Sequence, residues 1–514
     1  MVSPLVIAAL AAALVFYLPP PPLVWFLILG ALAAGFVLVR GTGIPRTLRR
    51  VFGFPDPLVP PPLFFAALCL GMVIGFLPGP GTRAFAPGLP VERIGAIRGR
   101  LLDDPRILSS GFAGPRRAAS PAAALEEERG MASVRLEEAA AALPGASSVR
   151  ASARGRALVY FPAGTMPRVK EFGRGAEIYV EGGFLPEDAS TGGSAAGRGF
   201  RFKAVSVHTV KTAPALERFR TALRGGLLKR LGGKSWGGLA AALLLGTREN
   251  LDDGLSLSFR DAGLSHILAL SGMHLAFLSA LLALALKGPL GKKGAVLGGL
   301  AFIILYVFLV GPQPSLVRAA IMYVLGSVLV LSGTIRQPLA LLGLSFLIQL
   351  LWDPPSALGL SFILSYLALG GLLLLSGPLE VLLRGMMPPL LSGGLSAALG
   401  AFIATAPVAA ACFGVLRPVG VAAGLIAAPL SGLFMTLSLA ALGCGNIPLL
   451  GFLLDRALSF LLFILGGTVS FFSRAPGLKT SLPVLCAALP LIAALVFFLA
   501  ERRRRYRSYL APFA

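Results

Sequence analysis

Long apolar runs, separated by short polar or Pro/Gly breaks, occupy most of the chain. Three precede a polar middle stretch and cover Val2–Leu18, Pro22–Val39 and Pro61–Leu77. The runs that follow it centre on Leu264–Leu286, Ala295–Val310, Leu316–Leu331, Leu339–Trp352, Leu358–Leu375, Leu395–Phe413, Val419–Leu442, Leu449–Phe472 and Pro483–Ala500. Because about 20 apolar residues in a helix cross the hydrocarbon layer, the pattern predicts a polytopic α-helical membrane protein with about 12 spans.

The polar middle stretch, from about Pro80 to Lys234, is long enough to fold as a domain outside the membrane. Short segments in it alternate β-branched or aromatic residues with polar ones, most clearly Ile94–Leu101, Ala157–Phe161, Ala176–Gly182 and Phe200–Val207. They predict one small β-barrel inserted after the third span. Between the first two, the Ala- and Glu-rich stretch from Ala118 to Ala142 favours a helix or a mobile insertion.

Composition supports the membrane assignment, since 56% of the residues are hydrophobic, 13% are charged and the mean hydropathy is +0.81. These values exclude a water-soluble globular enzyme. Basic clusters lie in loops or the tail at Arg40–Arg50, Lys287–Lys293 and Arg502–Arg507. If all three face the cytoplasm, 12 spans place both termini there and residues 80–234 outside, in the periplasmic or external space.

The net charge of +23 implies an anionic partner, although basic cytoplasmic loops and lipid head groups take up part of it. The outer domain is itself basic, because Pro80–Arg230 holds 24 Lys and Arg against 14 Asp and Glu, a difference of +10. Small barrels bind single-stranded nucleic acid through a cationic groove and aromatic platforms.

The aromatic candidates for such platforms are Tyr160, Phe161, Phe200 and Phe202. The alternative interpretation places the aromatic rings in the barrel core and the cations in solvent. The predicted DNA-binding residues of the outer domain are Arg98, Arg100, Arg154, Arg156, Lys170, Arg174, Arg201 and Lys203.

Two of the three histidines, His266 and His274, fall in one apolar segment. On a continuous helix an offset of eight residues places them about 80° apart, so one side of the helix presents both. An ionisable residue within a span usually faces the bundle interior, where it serves a pathway or a helix-to-helix hydrogen bond. Both interpretations stay open for each histidine taken alone.

The segment Leu243-Leu-Leu-Gly-Thr-Arg, followed by Phe259-Arg-Asp-Ala-Gly-Leu-Ser-His-Ile-Leu-Ala-Leu-Ser-Gly-Met-His, resembles the signature of the ComEC family, the membrane channel of bacterial competence. Gln313-Pro-Ser-Leu-Val-Arg-Ala, Leu358-Gly-Leu-Ser-Phe-Ile-Leu-Ser and Ile426-Ala-Ala-Pro-Leu resemble further family segments in the same order. The resemblance implies an external OB-fold that handles incoming DNA and a bundle that passes one strand to the cytoplasm. The channel and signature candidates are Gly246, Arg248, Arg260, His266, Ser271, Gly272, His274, Ser315, Arg318, Ser361 and Ser365.

The expected organisation is a three-span region over residues 1–79, an external basic OB-like domain over 80–234, a channel bundle over 235–500 and a basic cytoplasmic tail over 501–514. The longest family members add a metallo-β-lactamase-like domain with a zinc site. No His/Asp cluster of that type occurs in this sequence, so we expect no metal, no cofactor and no enzymatic activity. No Walker A motif is present either.

The resemblance therefore implies a protein that translocates single-stranded DNA through the inner membrane during natural transformation. Its expected partners are single-stranded DNA, membrane lipids, an outer DNA receptor, a separate nuclease and a cytoplasmic helicase or strand-binding protein. Two other classes stay open. One is a secondary transporter or permease for a small anion, which paired broken helices would favour. The other is a membrane enzyme or scaffold that uses the histidine pair for acid–base work.

Overall fold

The computed structural model describes residues 94–108, 129–141, 149–153, 155–162, 171–184, 200–333, 338–357, 359–445 and 447–478, with a few isolated positions. The chain divides into two compact units, one of Arg83–Val324 with Leu358–Ala514 and one of Met1–Thr82 with Leu325–Ala357. The three predicted N-terminal spans, the span predicted from Pro483 and the basic tail lie outside the described residues.

Between residues 94 and 211 the described chain consists mainly of strands. They are β1 (Ile94–Leu101), β2 (Arg106–Leu108), β3 (Arg129–Ala141), β4 (Val149–Ser152), β5 (Arg156–Phe161), β6 (Glu177–Phe184) and β7 (Phe200–Lys211). Five of them close a barrel in the order β1, β3, β5, β7, β6 and back to β1. All pairs in this ring are antiparallel except β5 with β7. The small barrel predicted from the sequence is confirmed.

The barrel core follows the alternation of the strands. On β5 the buried residues are Ala157, Val159 and Phe161, while their neighbours are half-buried. Phe161 and Phe202 are at most 1% exposed, and the ring of Phe184 meets that of Phe202 edge-on at a centroid distance of 5.0 Å. The prediction of a stacking platform is therefore wrong for Phe161 and Phe202, because burial of these rings fills the barrel.

The Ala- and Glu-rich stretch is not a helix over its described part, since residues 129–141 form the 13-residue strand β3. Val134 and Leu136 face the barrel core, and Glu137 and Glu138 face arginines of β1. Strand partners on both sides outweigh the helix propensity of Ala and Glu, so the prediction of a helix was wrong there.

Downstream of the barrel the described chain is helical. Its helices are α1 (Ala215–Leu231), α2 (Gly237–Leu245), α3 (Asp253–Asp261), α4 (Ser265–Leu268), α5 (Gly272–Val310), α6 (Pro314–Leu331), α7 (Pro338–Trp352), α8 (Pro354–Ala357), α9 (Leu360–Leu383), α10 (Pro389–Phe413), α11 (Val419–Cys444) and α12 (Pro448–Ser473). Within the described residues, seven helical segments are long and apolar enough to cross a membrane. They are Gly272–Gly291, Lys293–Val310, Pro314–Leu331, Leu360–Leu383, Pro389–Phe413, Val419–Cys444 and Pro448–Ser473.

Helix α5 supplies two of these segments, because it breaks at Gly291, whose φ of 67° is not helical. The first begins at Gly272 rather than at Leu264 as predicted, since the extended backbone of Ala269 separates α4 from α5. Helix α7 has 15 residues and is shorter than a full span. Eight predicted runs fall on described residues, and all of them except Leu339–Trp352 correspond to one of the seven apolar segments.

Helices α9 and α10 pack closely at glycines. A Cβ added to Gly400 of α10 would lie 2.8 Å from the carbonyl oxygen of Gly371 and 3.3 Å from Cβ of Leu375. A Cβ added to Gly393, on the same helix, would meet nothing within 4 Å. Small residues that let two helix backbones approach are typical of membrane bundles.

We therefore expect Gly400→Ala to lower the stability of the purified protein by about 1–3 kcal/mol, because the backbones must separate. Gly393→Ala is the matched control and is expected to be neutral or slightly stabilising, since alanine has the higher helix propensity. Thermal unfolding of both variants in the same detergent measures the difference. Equal stability of the two variants would contradict the close packing at Gly400.

Candidate functional site

The barrel is joined to the helices through Asp104, in the loop between β1 and β2. Its carboxylate accepts hydrogen bonds from Arg220 (2.5 Å) and Arg224 (3.2 Å) of α1. Arg220 is 1% exposed, and its Nε donates to Glu217 at 2.6 Å. A buried guanidinium is stable only when carboxylates and hydrogen bonds replace its water. Asp104 and Glu217 supply that replacement.

Arg224 also binds the C-terminal ends of two other helices. Its guanidinium donates to the carbonyl oxygens of Leu245 in α2 and Val310 in α5, both at 3.1 Å, and to Oγ1 of Thr247 at 3.0 Å. The last carbonyls of a helix lack partners within the helix and carry its negative dipole end. One arginine thus fixes α1, α2, α5 and the barrel loop at a single point, named here the Asp104 joint.

A solvent-open cleft lies beside the Asp104 joint. It is lined by Asp103, Asp104, Arg174, Arg220 and residues 310–313. The structure therefore places Arg174, one of the predicted DNA-binding residues, next to the contact between barrel and helices.

The signature segment begins with α2, of which all residues but Gly238 are buried. Helix α2 ends at Gly246 with a φ of 69°, and a Cβ there would lie 2.5 Å from Cδ1 of Leu270. A glycine is required at this position on both counts. Arg248, two residues after Gly246, is half-buried. Arg260 forms an ion pair with Asp261 at 3.2 Å, and the same carboxylate lies 3.0 Å from Arg417.

The two histidines of the signature do not share one helix. His266 lies on α4 and is exposed, whereas His274 lies in the first turn of α5 and is 1% exposed. The prediction of one continuous helix was wrong because of the break at Ala269. Nδ1 of His274 accepts the backbone N–H of Ser271 at 3.1 Å and lies 2.9 Å from its Oγ. Nε2 of His274 has no hydrogen-bond partner among the described residues.

Arg318, one turn into α6, meets the start of α5. It is 7% exposed, donates to the carbonyl oxygen of Ser365, and its Cζ lies 5.6 Å from the ring centre of Tyr366. Gly272 permits this approach, because a Cβ there would lie 3.0 Å from a terminal nitrogen of Arg318. Nε of Arg318 is buried with no hydrogen-bond partner among the described residues.

Ser315 links α6 to the segment before α5, since its Oγ donates a hydrogen bond to the carbonyl oxygen of Leu270 at 2.8 Å. The structure thus brings together a set of predicted residues around the first turns of α5 and α6, named here the signature cluster: Ser271, Gly272, His274, Ser315, Arg318 and Ser365. Ser361 and His266 are exposed instead.

The predicted DNA-binding cations of the barrel differ in their surroundings. Arg98 pairs with Glu177 at 2.6 Å, and Arg100 lies 3.8 Å from Glu137. The hydrogen bond to Glu177 raises the pKa of Arg98 above its ordinary value. By contrast, Arg201 and Lys203 are exposed on β7. Arg156 is half-buried, while Arg154 and Lys170 lie outside the described residues.

These features define a polytopic membrane protein in which a closed five-stranded β-barrel is fixed to the ends of bundle helices. The chain belongs to the competence protein family, because the family model described as Competence protein matches residues 243–505. This confirms the resemblance to the ComEC family. Within the described residues, no group of three or more His, Cys, Asp or Glu side chains is placed to hold a metal ion.

Among curated proteins, ComE operon protein 3 of Bacillus subtilis (strain 168) is 32% identical over 133 residues. The matched segment is 25% of this chain and spans only 17% of the length of that protein. No solved structure matches the chain.

The Asp104 joint generates a stability prediction. We expect Asp104→Asn to lower the stability of the purified protein by about 3 kcal/mol, because Arg220 is left buried with one carboxylate fewer. Asp103→Asn, the neighbouring residue in the same cleft, is the matched control and is expected to stay within about 0.5 kcal/mol of the parent. Unfolding in detergent measures both. A loss of equal size in the two variants would show that Asp104 has no special role.

Proposed function

We propose that this protein is an inner-membrane channel that moves single-stranded DNA into the cytoplasm during DNA uptake for natural transformation. In this proposal residues 80–234 face the outside and both termini face the cytoplasm. The main observation in support of this proposal is the Asp104 joint, which occurs in a member of the competence family. A barrel suited to polyanions is fixed there to the ends of α2 and α5, at the signature segment.

The barrel supplies the first contact with DNA in this proposal. Its five closed strands match the size of an OB-fold, and such barrels hold single strands by backbone charge and base stacking without reading sequence. Arg201 and Lys203, exposed on β7, are available to contact phosphates. Arg98 and Arg100 are engaged by carboxylates of neighbouring strands, so they contribute less.

The bundle must then provide a wet path, since an unpaired phosphate in hydrocarbon costs several kcal/mol or more. The signature cluster supports such a path, because Nε2 of His274 and Nε of Arg318, which have no hydrogen-bond partner among the described residues, lie within span segments. Leaving a buried donor unsatisfied costs about 1–3 kcal/mol, which a hydrated neighbourhood removes.

The partners follow from the same proposal. An outer DNA receptor delivers the duplex, a separate nuclease removes one strand, and a cytoplasmic helicase or strand-binding protein draws the other inward. A permease for a small anion is the second candidate, and the buried Arg318 beside the break at Gly311–Pro314 is the observation that favours it.

DNA binding by the full chain in lipid nanodiscs tests the role of the barrel. We expect salt-dependent binding of a single-stranded oligonucleotide, and we expect the double variant Arg201→Ala with Lys203→Ala to flatten the slope of log K against log salt by roughly 0.7 per lost contact. Arg384→Ala, which removes a guanidinium paired with Glu380 on α9, is the control and should leave the slope unchanged. Binding that does not vary with salt would count against a polyanion-binding barrel.

Transport itself is tested in a transformable host that lacks its own channel protein. Expression of this chain is expected to restore uptake of labelled DNA, and Arg318→Gln is expected to reduce uptake at least tenfold if the signature cluster lines the path. Membrane levels of each variant are measured in parallel, so that loss of folding is recognised. Restored flux of a small anion without any DNA uptake would favour the permease.

A further inference from the structure

Helices α1 and α2 form an antiparallel hairpin. At its open end Arg224 of α1 bonds to the carbonyl oxygen of Leu245 at the end of α2. At its closed end Leu231 of α1 lies against Gly237 at the start of α2, where an added Cβ would clash with the carbonyl oxygen of Leu231. The turn between them, residues 232–236, is therefore the tip of the hairpin.

The tip contacts the first half of a span. Nζ of Lys234 lies 3.2 Å from the carboxylate of Asp455, which also accepts the indole N–H of Trp236 at 2.8 Å. The hydroxyl oxygens of Ser235 and Ser459 are 3.2 Å apart. Both partners belong to α12 (Pro448–Ser473). At 1.5 Å per residue, Asp455 and Ser459 lie about 10 and 16 Å from the first residue of this helix. Counted from its last residue, the distances are about 27 and 21 Å.

The open end of the hairpin lies at the end of another span, because Arg224 also binds the carbonyl oxygen of Val310, the last residue of α5. Helix α2 is buried in the same hydrophobic cluster as residues of α5, α11 and α12. The hairpin thus enters the bundle at the Asp104 joint and turns back within the length of a span, beside the first half of α12. Neither of its helices is long and apolar enough to cross a membrane.

One face of α1 stays exposed at this depth. Helix α1 packs against α2, α5 and α11. Its exposed residues on the other side are Leu216, Arg218, Phe219, Ala222, Leu223, Gly226, Lys229 and Arg230. Cβ atoms added at Gly225 and Gly226 would meet no described residue within 4 Å, so space adjoins the helix in the part of the chain that the structure describes.

The exposed cations of α1 indicate whether water or lipid fills that space. Lys229 and Arg230 lie in the last turn of α1, next to the tip that contacts Asp455. Charged side chains at mid-membrane depth face either protein partners or water, since exposure to lipid is costly. An exposed lysine and arginine at this level therefore require water beside them.

We propose that the exposed face of α1 is one wall of a water-filled cationic pathway through the bundle, with Arg218, Lys229 and Arg230 as successive phosphate contacts. This deepens the proposed function and rests on it for the identity of the polyanion. The apolar residues Phe219 and Leu223, between the cations, supply surfaces on which bases stack without regard to sequence.

Thiol accessibility tests the pathway in the full chain, held in lipid nanodiscs after serine replaces Cys69, Cys412, Cys444 and Cys486. Arg230→Cys and Gly226→Cys are the test variants. Leu231→Cys is the matched control, because Leu231 is adjacent to Arg230 and only 2% exposed. The probe is an anionic, water-soluble methanethiosulfonate. We expect it to modify both test variants at least about tenfold faster than the control.

An added single-stranded oligonucleotide is expected to slow modification of both test variants. Reaction at Arg230→Cys and Gly226→Cys as slow as at Leu231→Cys, or reaction only with a lipid-soluble maleimide, would overturn the aqueous wall. Gly226→Cys keeps the test valid if Arg230→Cys fails to fold, because its side chain enters open space.

The proposed function and the pathway along α1 can fail separately. Loss of DNA uptake in cells without this chain, combined with unreactive cysteines, leaves the proposed function intact and refutes the pathway along α1. Fast modification that the oligonucleotide does not slow refutes α1 as a phosphate track. Fast, oligonucleotide-sensitive modification of the purified protein, with unchanged DNA uptake in such cells, supports the pathway and refutes the proposed role in transformation.

Discussion

The guanidinium of Arg224 is the contact on which the described architecture depends. It satisfies the last carbonyls of α2 and α5 and a carboxylate of the barrel loop at once. Helix ends need such partners because their final carbonyls have none within the helix. Arg220 beside it is almost wholly buried and needs the same carboxylate. The position of the barrel, the entry of the α1–α2 hairpin and the end of a span are therefore set together.

The proposed channel for a polyanion requires charged side chains within a bundle that crosses hydrocarbon. The apolar segments supply long helices whose outer surfaces suit lipid. Arg318 lies in the signature cluster, Lys229 and Arg230 lie on the exposed face of α1, and Asp455 and Arg456 lie on α12. In the pathway proposed above, the hairpin brings Lys229 and Arg230 alongside α12 without placing them in a transmembrane span.

The sequence predicts those parts of this structure that local pattern determines. Run length predicts the spans, alternation predicts β1, β5, β6 and β7, and the signature predicts the family. Strand β3 was missed because its neighbours outweigh the preference of its own Ala and Glu residues. The break at Ala269 was missed because apolar residues continue through it. The Asp104 joint could not be predicted from the sequence, because Asp104 is 116 positions from Arg220 and 120 positions from Arg224.

Mapping of cross-links between a photoreactive single-stranded oligonucleotide and the full chain in nanodiscs is the most direct measurement of the central claim. The account predicts cross-linked peptides from β7 around Arg201 and from α1 between Arg218 and Arg230, in the same complex and sensitive to salt. Cross-links confined to loops at the bundle surface, with none on α1, would contradict a DNA path that leads from the barrel along the hairpin.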